Sequence, residues 1–449
     1  MITETLSAHV AAPPAEGRLR LFVLALGVVL LAEFLGIVTI PVGPGKIVML
    51  PMIWALLIGA VISLAARRLP SSLQVDTVLQ HRATTIVGLA LLIFVGKLAL
   101  LVGGSLPKLM NAGWALVFQE FGHFLATAIL GLPVALLLGI KREAIGATFS
   151  VGREPSLAII GEKYGMASPE GRGVLAEYIT GTLFGAIFIA LLASLVTSLH
   201  IFDPLALAMG AGVGSGSMMA AASGAIAAQQ TPEVAKEVAT FAAASNLITT
   251  TIGTYFTLFL SLPFTAWAYR KLEPLIGRTT SASLDTADAG LAAAIAHDAE
   301  QAPGALEMVA IWVLVGALAL AGNWITYKTV PDASVVAGMG IIIGIVAVGY
   351  ALYRLTQRKI VAVIWVSLIG MLLTYPGFPL ASTVAALTTK INFLALTTPI
   401  LAFAGLSLAK DVPAFRRLGW RIVLVSFMAN AGTFIGATVV AQIFMHKPL

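Results

Sequence analysis

The chain has 449 residues, a mean hydropathy of +0.96 and 59 % hydrophobic residues, but only 11 % charged residues. Soluble domains carry about 25 % charged residues, so this composition excludes an ordinary soluble protein and favours a multi-pass membrane protein. The formal net charge of +6 is spread over short loops, which indicates membrane topology rather than nucleic-acid binding. The chain has no cysteine, which excludes disulfides, thiolate metal sites and a cysteine nucleophile.

Apolar runs long enough to span a bilayer occur about eleven times. They lie at 19–40, 47–66, 84–104, 111–139, 174–198, 237–268, 306–326, 333–353, 360–375, 391–409 and 419–444. Residues 1–18 are polar and carry two acids, so we interpret the first run as an anchor rather than a cleavable signal peptide.

The charges of the short loops predict the orientation. Every second loop is rich in Arg and Lys, as at Arg67–Arg68 and Arg416–Arg417, whereas the loops between carry mostly one Lys each. By the positive-inside rule the richer loops are cytoplasmic, which puts the N-terminus inside and the C-terminus in the periplasm of a bacterial inner-membrane protein.

The apolar runs and the loops between them divide the chain into four predicted regions. They are an N-terminal transmembrane pair (1–83), a first transporter repeat (84–269), a polar cytoplasmic linker (270–305) and a second transporter repeat (306–449). The linker is the only sizeable loop, and its second half is rich in Ala and acidic residues.

Two further apolar stretches, 144–164 and 204–228, are interrupted by Gly, Ser or Pro. Non-helical backbone at membrane depth persists only where protein or a water-filled cavity satisfies its polar groups. We therefore expect two discontinuous helices or two re-entrant hairpins, and the sequence alone does not separate these options.

The first interrupted stretch contains the run Phe149 to Ser156. Pro155 lacks an amide donor and biases Glu154 away from helix, which frees backbone groups beside an Arg–Glu pair. We predict that Arg153, Glu154, Pro155 and Ser156 line one half of a binding site. The alternative is that the charged pair only shapes a turn at the cytoplasmic interface.

The second interrupted stretch has glycine at every second position from Gly210 to Gly216. Each glycine weakens a helix by about 1 kcal/mol relative to alanine, and unwound backbone offers carbonyls to a cation and N–H groups to an anion. The predicted second half of the site is Gly212, Gly214, Ser215, Gly216 and Ser217. The alternative is close helix packing, although packing favours glycines four apart.

Three titratable residues within predicted spans are candidates for coupling transport to an ion. Glu120 and His123 share a helix face with Thr127, and Glu177 shares one with Gly181. A carboxylate and an imidazole within a membrane can relay protons, and a carboxylate can also bind sodium. The alternatives are a packing contact for Glu120 and His123 and an interfacial position for Glu177.

Two polar stripes run along predicted helices. One contains Asn246, Thr249, Thr250, Gly253 and Thr257, and the other contains Ser426, Asn430, Thr433 and Gly436. We predict that Asn246, Thr250 and Asn430 contribute to solute binding. The alternative is hydrogen bonding between helices, which is the commoner use of such residues. Glu33 and Lys97 are single charges within spans, for which snorkelling or pairing is expected.

The third and fourth spans resemble the last two. Gly113-Trp114 matches Gly419-Trp420, Phe121 matches Phe427, and Thr127 matches Thr433 without a gap. The predicted topology gives the two segments opposite orientations, as an inverted repeat requires, and that architecture places a substrate near the bilayer midplane.

The motifs together resemble an uncharacterised family of bacterial membrane proteins known only as a domain of unknown function. The resemblance covers about residue 84 to the end and rests on the GREPS-containing stretch, GAGVGSGSMMAAASG and TTPILAFAGLSLAKD. More distantly, the layout is similar to inverted-repeat transporters of bile acids, glutamate, hydroxycarboxylates and lysine. That resemblance implies an all-α elevator-like transporter, and several such families use sodium or protons. The glycine signatures of the glutamate and citrate transporters are not matched, so it implies no substrate.

We therefore expect about 11–13 transmembrane segments and an ion-coupled secondary transporter of a small organic solute, either an organic anion or an amino acid-like molecule. We expect no cofactor beyond coupling Na⁺ or H⁺, no metal site, no nucleic-acid partner and no enzymatic activity, because no catalytic dyad, triad or ligand set is present in the sequence. A homodimer is common for this layout. The alternative function is a regulated pore or a cell-envelope factor of the murein-hydrolase-export type.

Overall fold

The structure is a computed structural model, and it describes residues 15–70, 73–107, 114–166, 168–278, 303–357 and 360–445. Within these ranges the chain is mostly helical, and seven helices are long and apolar enough to cross a membrane. Three shorter apolar helices accompany them, at Pro51–Leu64, Gly216–Ala227 and Ala362–Thr374. The prediction of a helical, multi-pass membrane protein is confirmed.

The N-terminal part contains helix α1 (Ala15–Leu35), a hairpin of strands β1 (Val38–Val42) and β2 (Gly45–Met49), and helices α2 (Pro51–Leu64) and α3 (Thr77–Gly104). The prediction that the first span reaches residue 40 is wrong, because the chain leaves the helix at Gly36 with a φ of 66°. The β-branched residues that follow pair as antiparallel strands, with Val38 opposite Met49.

The central part begins with helix α4 (Trp114–Leu137) and continues through two pairs of short helices. The first pair is α5 (Glu143–Thr148) and α6 (Arg153–Lys163), and the second is α8 (Pro204–Gly212) and α9 (Gly216–Ala227). Helix α7 (Pro169–Ser198) separates the pairs and contains a π-helical segment at Gly181–Gly185.

A helical rod over residues 232–276 closes the central part. It consists of α10 (Pro232–Ile248), a link with π-helical segments at Thr249–Gly253 and Thr257–Ser261, and α11 (Leu262–Ile276). The predicted linker 270–305 therefore begins as helix, and most of the rest of that linker lies outside the described residues.

The C-terminal part holds six helices. They are α12 (Ala305–Ile325), α13 (Ala333–Leu355), α14 (Ala362–Thr374), α15 (Ala381–Thr389), α16 (Thr397–Leu406) and α17 (Val412–Phe444). Helix α17 is kinked at Gly419, where φ is 73°. Helix α15 is absent from the predicted spans because its nine residues are too short and too polar to stand out as an apolar run.

Helices α4 and α17 pack against each other along most of their length. A Cβ atom on Gly122 would overlap the backbone at Gly436, and one on Gly432 would overlap the carbonyl of Ala126. As the residue number rises along α4 it falls along α17, so the two helices are antiparallel. Small residues four apart allow this close approach, as in other membrane helix pairs.

The β-hairpin lies against the second half of α7. The Val48 amide donates to the Ser194 hydroxyl at 2.7 Å, and the Lys46 amide donates to the Ser198 hydroxyl at 2.9 Å. These bonds join the N-terminal part of the chain to the helix between the two pairs of short helices.

Candidate functional site

The two interrupted stretches form two helical hairpins, α5–α6 and α8–α9. Their helices have 6, 11, 9 and 12 residues. At 1.5 Å per residue each is at most about 18 Å long, and the hydrocarbon core of a bilayer is about 30 Å thick. No single helix of either hairpin is therefore long enough to span.

Both ends of the first hairpin lie beside the start of α7. Arg142, just before α5, bonds Glu170 at 2.6 Å, and Glu143 at the start of α5 accepts from Arg172 at 2.8 Å. Helix α6 ends only a few residues before Pro169. The hairpin therefore enters and leaves at the same end of α7.

Both ends of the second hairpin lie beside the other end of α7. Helix α8 starts at Pro204, six residues after α7 ends, and Gln229, just after α9, donates to the carbonyl of Ser194 at 2.9 Å. Helix α7 has 30 residues and is about 45 Å long. Each hairpin therefore begins and ends at one end of α7, and the two hairpins lie at opposite ends of that helix.

The tips of the hairpins line one cavity of about 220 Å³. The first tip contributes Ser150, Gly152 and Pro155, and the second contributes the run from Gly214 to Ser217. The remaining wall comes from Val87, Leu91, His123, Thr249, Thr250, Gly253 and Thr257. The cavity is smaller than the roughly 300–1,000 Å³ of drug-sized ligand sites, so it suits a small solute.

A helix begins at each tip. Helix α6 starts at Arg153, and helix α9 starts at Gly216, where the Ser215 hydroxyl accepts from the amide of Met218 at 3.4 Å. The first amides of a helix lack partners within it, and the helix dipole makes that end positive. Two such helix ends at one cavity favour an anionic group in it.

The second tip is held by an amide side chain from α10. Asn246 donates to the carbonyls of Gly212 at 2.8 Å and Gly214 at 3.0 Å. Gly214 has a φ of 133°, a region that residues with a Cβ atom rarely adopt, and nothing lies within 4 Å of a Cβ atom there. Glycine is therefore required by the backbone conformation and not by crowding.

The first tip is held from the link between α10 and α11. The Ser261 hydroxyl donates to the carbonyl of Phe149, and the Ser150 hydroxyl accepts from the amide of Gly152 at 3.0 Å. The one rod over 232–276 therefore fixes both tips.

Glu120, His123 and Thr249 form a buried polar cluster at the cavity. His123 Nδ1 lies 3.2 Å from Glu120 Oε2, and the Thr249 hydroxyl donates to Glu120 Oε1. Glu120 is 0 % exposed and His123 2 %. Because His123 also lines the cavity, this cluster connects a buried carboxylate to the space between the tips.

Glu177 and Asn430 form a different contact. The Asn430 amide lies 3.4 Å from Glu177 Oε1 and donates to the Ser426 carbonyl at 2.8 Å. Neither residue lines the cavity between the tips. The structure thus separates the three candidate coupling residues into two places.

The other predicted site residues have different positions. Gly212 is buried beside α10. Asn246 does not line the cavity and instead donates to the backbone of the second tip. Ser156 is 1 % exposed. The side chains of Arg153 and Glu154 lie outside the part of the chain that the structure describes.

Two polar atoms near the cavity have no hydrogen-bond partner among the described residues. They are the Ser156 hydroxyl and His123 Nε2. Buried polar atoms are nearly always hydrogen-bonded, so such atoms beside a cavity suit a bound solute or water.

The two hairpins share features that the sequence analysis missed. Each tip contains Val-Gly, at Val151-Gly152 and Val213-Gly214. Each hairpin is followed by a helix that starts with Ser or Thr, Pro and Glu, at 168–170 and 231–233, and that later becomes π-helical. The two Val-Gly pairs are separated by nearly the same number of residues as the two helix starts. An alignment of the sequence with itself could have detected this regular spacing.

The family described as "Protein of unknown function (DUF3100)" matches residues 30–271. The match starts at residue 30, earlier than the start at about residue 84 that the resemblance predicted. It contains both hairpins but not the TTPILAFAGLSLAKD segment. No curated protein and no solved structure matches the chain.

Proposed function

The chain belongs to the DUF3100 family, whose model covers more than half of it, and we propose that it is an ion-coupled secondary transporter of a small organic solute. The observation that carries the proposal is the meeting of two helical-hairpin tips on one cavity. In transporters built from inverted repeats, the solute binds near the midplane beside discontinuous helices.

The cavity has the chemistry that a polar solute needs. The helices that start at Arg153 and Gly216 place their positive ends at the tips, and the Thr249, Thr250 and Ser215 hydroxyls can donate and accept. Positive helix ends favour a carboxylate, so an organic anion or an amino acid-like solute fits better than a cation.

The coupling ion acts at Glu120 in this proposal. A carboxylate buried at membrane depth is costly unless it has a partner, and Glu120 has only Thr249 and His123 among the described residues. A proton or a sodium ion that binds Glu120 would neutralise it, and the cavity wall at His123 would transmit that change to the solute. Glu177 with Asn430 is the competing ion site.

Transport would proceed by an elevator-like movement of the hairpin-bearing helices in the bacterial inner membrane. The antiparallel pair α4 and α17 and the opposite entry of the two hairpins support an inverted repeat. The short loops rich in Arg and Lys support a cytoplasmic N-terminus and a periplasmic C-terminus. The partners are the lipid bilayer, the solute and a second copy of the chain.

The test is solute accumulation in proteoliposomes. Vesicles containing the full chain are given a sodium or a proton gradient and a mixture of small carboxylates and amino acids, and mass spectrometry measures what accumulates. We expect at least one solute to accumulate about tenfold over its level without a gradient. Conductance far above transporter turnover would instead indicate the regulated pore.

The matched controls are two glycine-to-leucine variants. Gly214→Leu fills the cavity at the second tip, whereas Gly340→Leu adds the same side chain at an exposed position of α13 with nothing within 4 Å. We expect the first to abolish accumulation and the second to leave it unchanged. Equal accumulation by both variants would remove the proposed site.

A further inference from the structure

A second cavity, of about 710 Å³, lies between the last third of α3, the start of α10 and two loops of the C-terminal part. The loops are 326–332, between α12 and α13, and 390–396, between α15 and α16. We refer to this cavity as the basic vestibule, because its lining includes Lys97, Lys236 and Lys390. Asp332 is the one carboxylate among the described residues that line it.

Lys97 is the unusual member of this group. It lies inside α3, only 2 % of it is exposed, and its ammonium donates to the Thr388 carbonyl at 2.7 Å. No carboxylate of the described residues lies within ion-pairing distance of it. A lysine nitrogen carries more than one N–H donor, so the single carbonyl leaves part of its donor capacity available.

Asp332 does not neutralise Lys97. Its carboxylate accepts from the Ser334 hydroxyl at 2.5 Å and from the Val335 amide at 2.8 Å, and it lies 3.7 Å from the Lys390 ammonium. The Ser334 hydroxyl and then the Val335 amide hold the pKa of Asp332 below its usual range, so it remains charged and engaged at the start of α13. The lining thus carries three lysines and one aspartate, and that aspartate is engaged by Lys390 and by the start of α13.

The basic vestibule and the hairpin cavity share two helices. On α3, Lys97 lines the vestibule and Leu91 lines the hairpin cavity. On α10, Lys236 lines the vestibule, and Thr249 follows the end of the same helix at the hairpin cavity. A small gap lined by Leu98, Met219 and Asn246 lies beside the same two helices. Asn246 is also the residue that holds the second tip.

We propose that the basic vestibule binds a small organic anion at Lys97, Lys236 and Lys390 and supplies it to the hairpin cavity. The inference deepens the proposed function, because it makes the transported solute a carboxylate that enters from the side of the α12–α13 loop. The volume exceeds what an inorganic ion needs, and Tyr327, Thr329, Thr389 and Asn392 provide hydrogen bonds beside the charges. A positive lining also concentrates anions before binding.

The test uses thiol reagents of opposite charge, since the chain has no cysteine of its own. Thr389→Cys places one thiol in the vestibule, and Ile201→Cys places one on an exposed loop outside it. At each position we compare the reaction rate of an anionic methanethiosulfonate with that of its cationic counterpart. We expect this anionic-to-cationic rate ratio to be at least tenfold higher for Cys at 389 than for Cys at 201. Equal ratios at the two positions would overturn the proposal.

Protection and charge removal complete the test. Malonate, at constant ionic strength with chloride as the control, should slow the anionic reagent at position 389 at least threefold. Lys97→Met should remove this protection. Protection by inorganic phosphate but not by malonate would overturn the assignment to an organic anion.

If Lys97 has only a structural role, a different result is expected. Lys97→Met would then lower the Tm but leave the reagent preference intact, and this outcome would overturn the proposal. Should Lys97→Met not yield folded protein by size-exclusion chromatography, Lys236→Gln with Lys390→Gln replaces it, because both side chains are exposed. In this double variant the anionic-to-cationic rate ratio at position 389 should fall to about the ratio at position 201. The test needs no transport, so its failure is separable from failure of the proposed function.

Discussion

The hydroxyls of Thr127 and Thr433 lie 2.6 Å apart, although 306 positions separate them in the chain. These are the two threonines that match when the third and fourth spans are compared with the last two. Because α4 and α17 are antiparallel, a residue and its match come into contact only where a pseudo-two-fold axis passes between them. The Thr127–Thr433 contact marks where such an axis would cross the bundle.

A double-mutant cycle tests this contact. Thr127→Val and Thr433→Val should each destabilise the protein by about 0.5–1.5 kcal/mol, and the double variant should lose less than the sum of the two. The free energy of unfolding in mild detergent with increasing dodecyl sulfate gives the coupling. Membrane helix pairs show coupling of about 0.6 kcal/mol on average, so a value near that size is expected.

The control is Thr438→Val, also on α17. Its hydroxyl donates to the Phe434 carbonyl of its own helix at 2.8 Å. It should show no coupling to Thr127→Val, and coupling as large as that of Thr433 would contradict a specific contact.

Gly214→Ala tests the backbone of the second tip. A Cβ atom at a φ of 133° costs about 1–3 kcal/mol in strain, and relief of that strain would move the tip. We expect transport to fall at least tenfold in proteoliposomes. Gly377→Ala is the matched control, since Gly377 has a φ of 104°, open space around it and no place in the cavity.

The two variants separate strain from site geometry. Both should lower the Tm by a similar few degrees, but only Gly214→Ala should impair transport. Loss of transport in both would mean that destabilisation alone explains the effect.

Asn246→Ala tests how the tip is held. Removal of the amide leaves the carbonyls of Gly212 and Gly214 without their donor, at a cost of about 1–3 kcal/mol. Hydrogen exchange of residues 210–217 should become faster by about tenfold. Asn323→Ala is the control, because Asn323 bonds Lys390 and Asn392 in the C-terminal part and should leave the exchange of 210–217 unchanged.

Glu120→Gln and Glu177→Gln distinguish the two candidate ion sites. Glutamine keeps the size but cannot bind a proton or hold a charge. If Glu120 couples the ion, Glu120→Gln should exchange solute across the membrane yet fail to accumulate it with a gradient, and Glu177→Gln should still accumulate it. The reverse pattern would transfer coupling to Glu177 and Asn430.

Sequence patterns identified the interrupted stretches because the signal is local. Alternating glycines from Gly210 to Gly216 oppose regular helix, and the break between α8 and α9 lies among them. The prediction that Pro155 keeps Glu154 out of helix is wrong. Both residues lie in the first turn of α6, where a missing amide removes no helical hydrogen bond, and the break precedes them at 149–152. The polar stripe through Asn246, Thr249 and Thr250 was visible at helical spacing for the same reason. Local chemistry thus gave most of the residues around the cavity.

Other features depend on contacts between distant parts of the chain. Ser261 reaches Phe149 and Thr249 reaches Glu120, and no periodicity predicts such pairs. The first span was extended to residue 40 because hydropathy does not distinguish an apolar strand from the end of an apolar helix. Whether each hairpin begins and ends at the same end of α7 likewise depends on contacts that no local pattern predicts.

The β-hairpin that bonds Ser194 and Ser198 has a mechanical consequence. Helix α7 is joined to one helical hairpin at each end, so a displacement of both hairpins in the proposed transport movement would move α7 as well. A shift by one helical turn, about 5.4 Å, exceeds the reach of a hydrogen bond, so strands β1 and β2 must either travel with α7 or release it. In the proposed elevator-like movement the strands would therefore act as a tether, and the chain between Leu35 and Pro51 would set how far the hairpin-bearing helices could travel before it became taut.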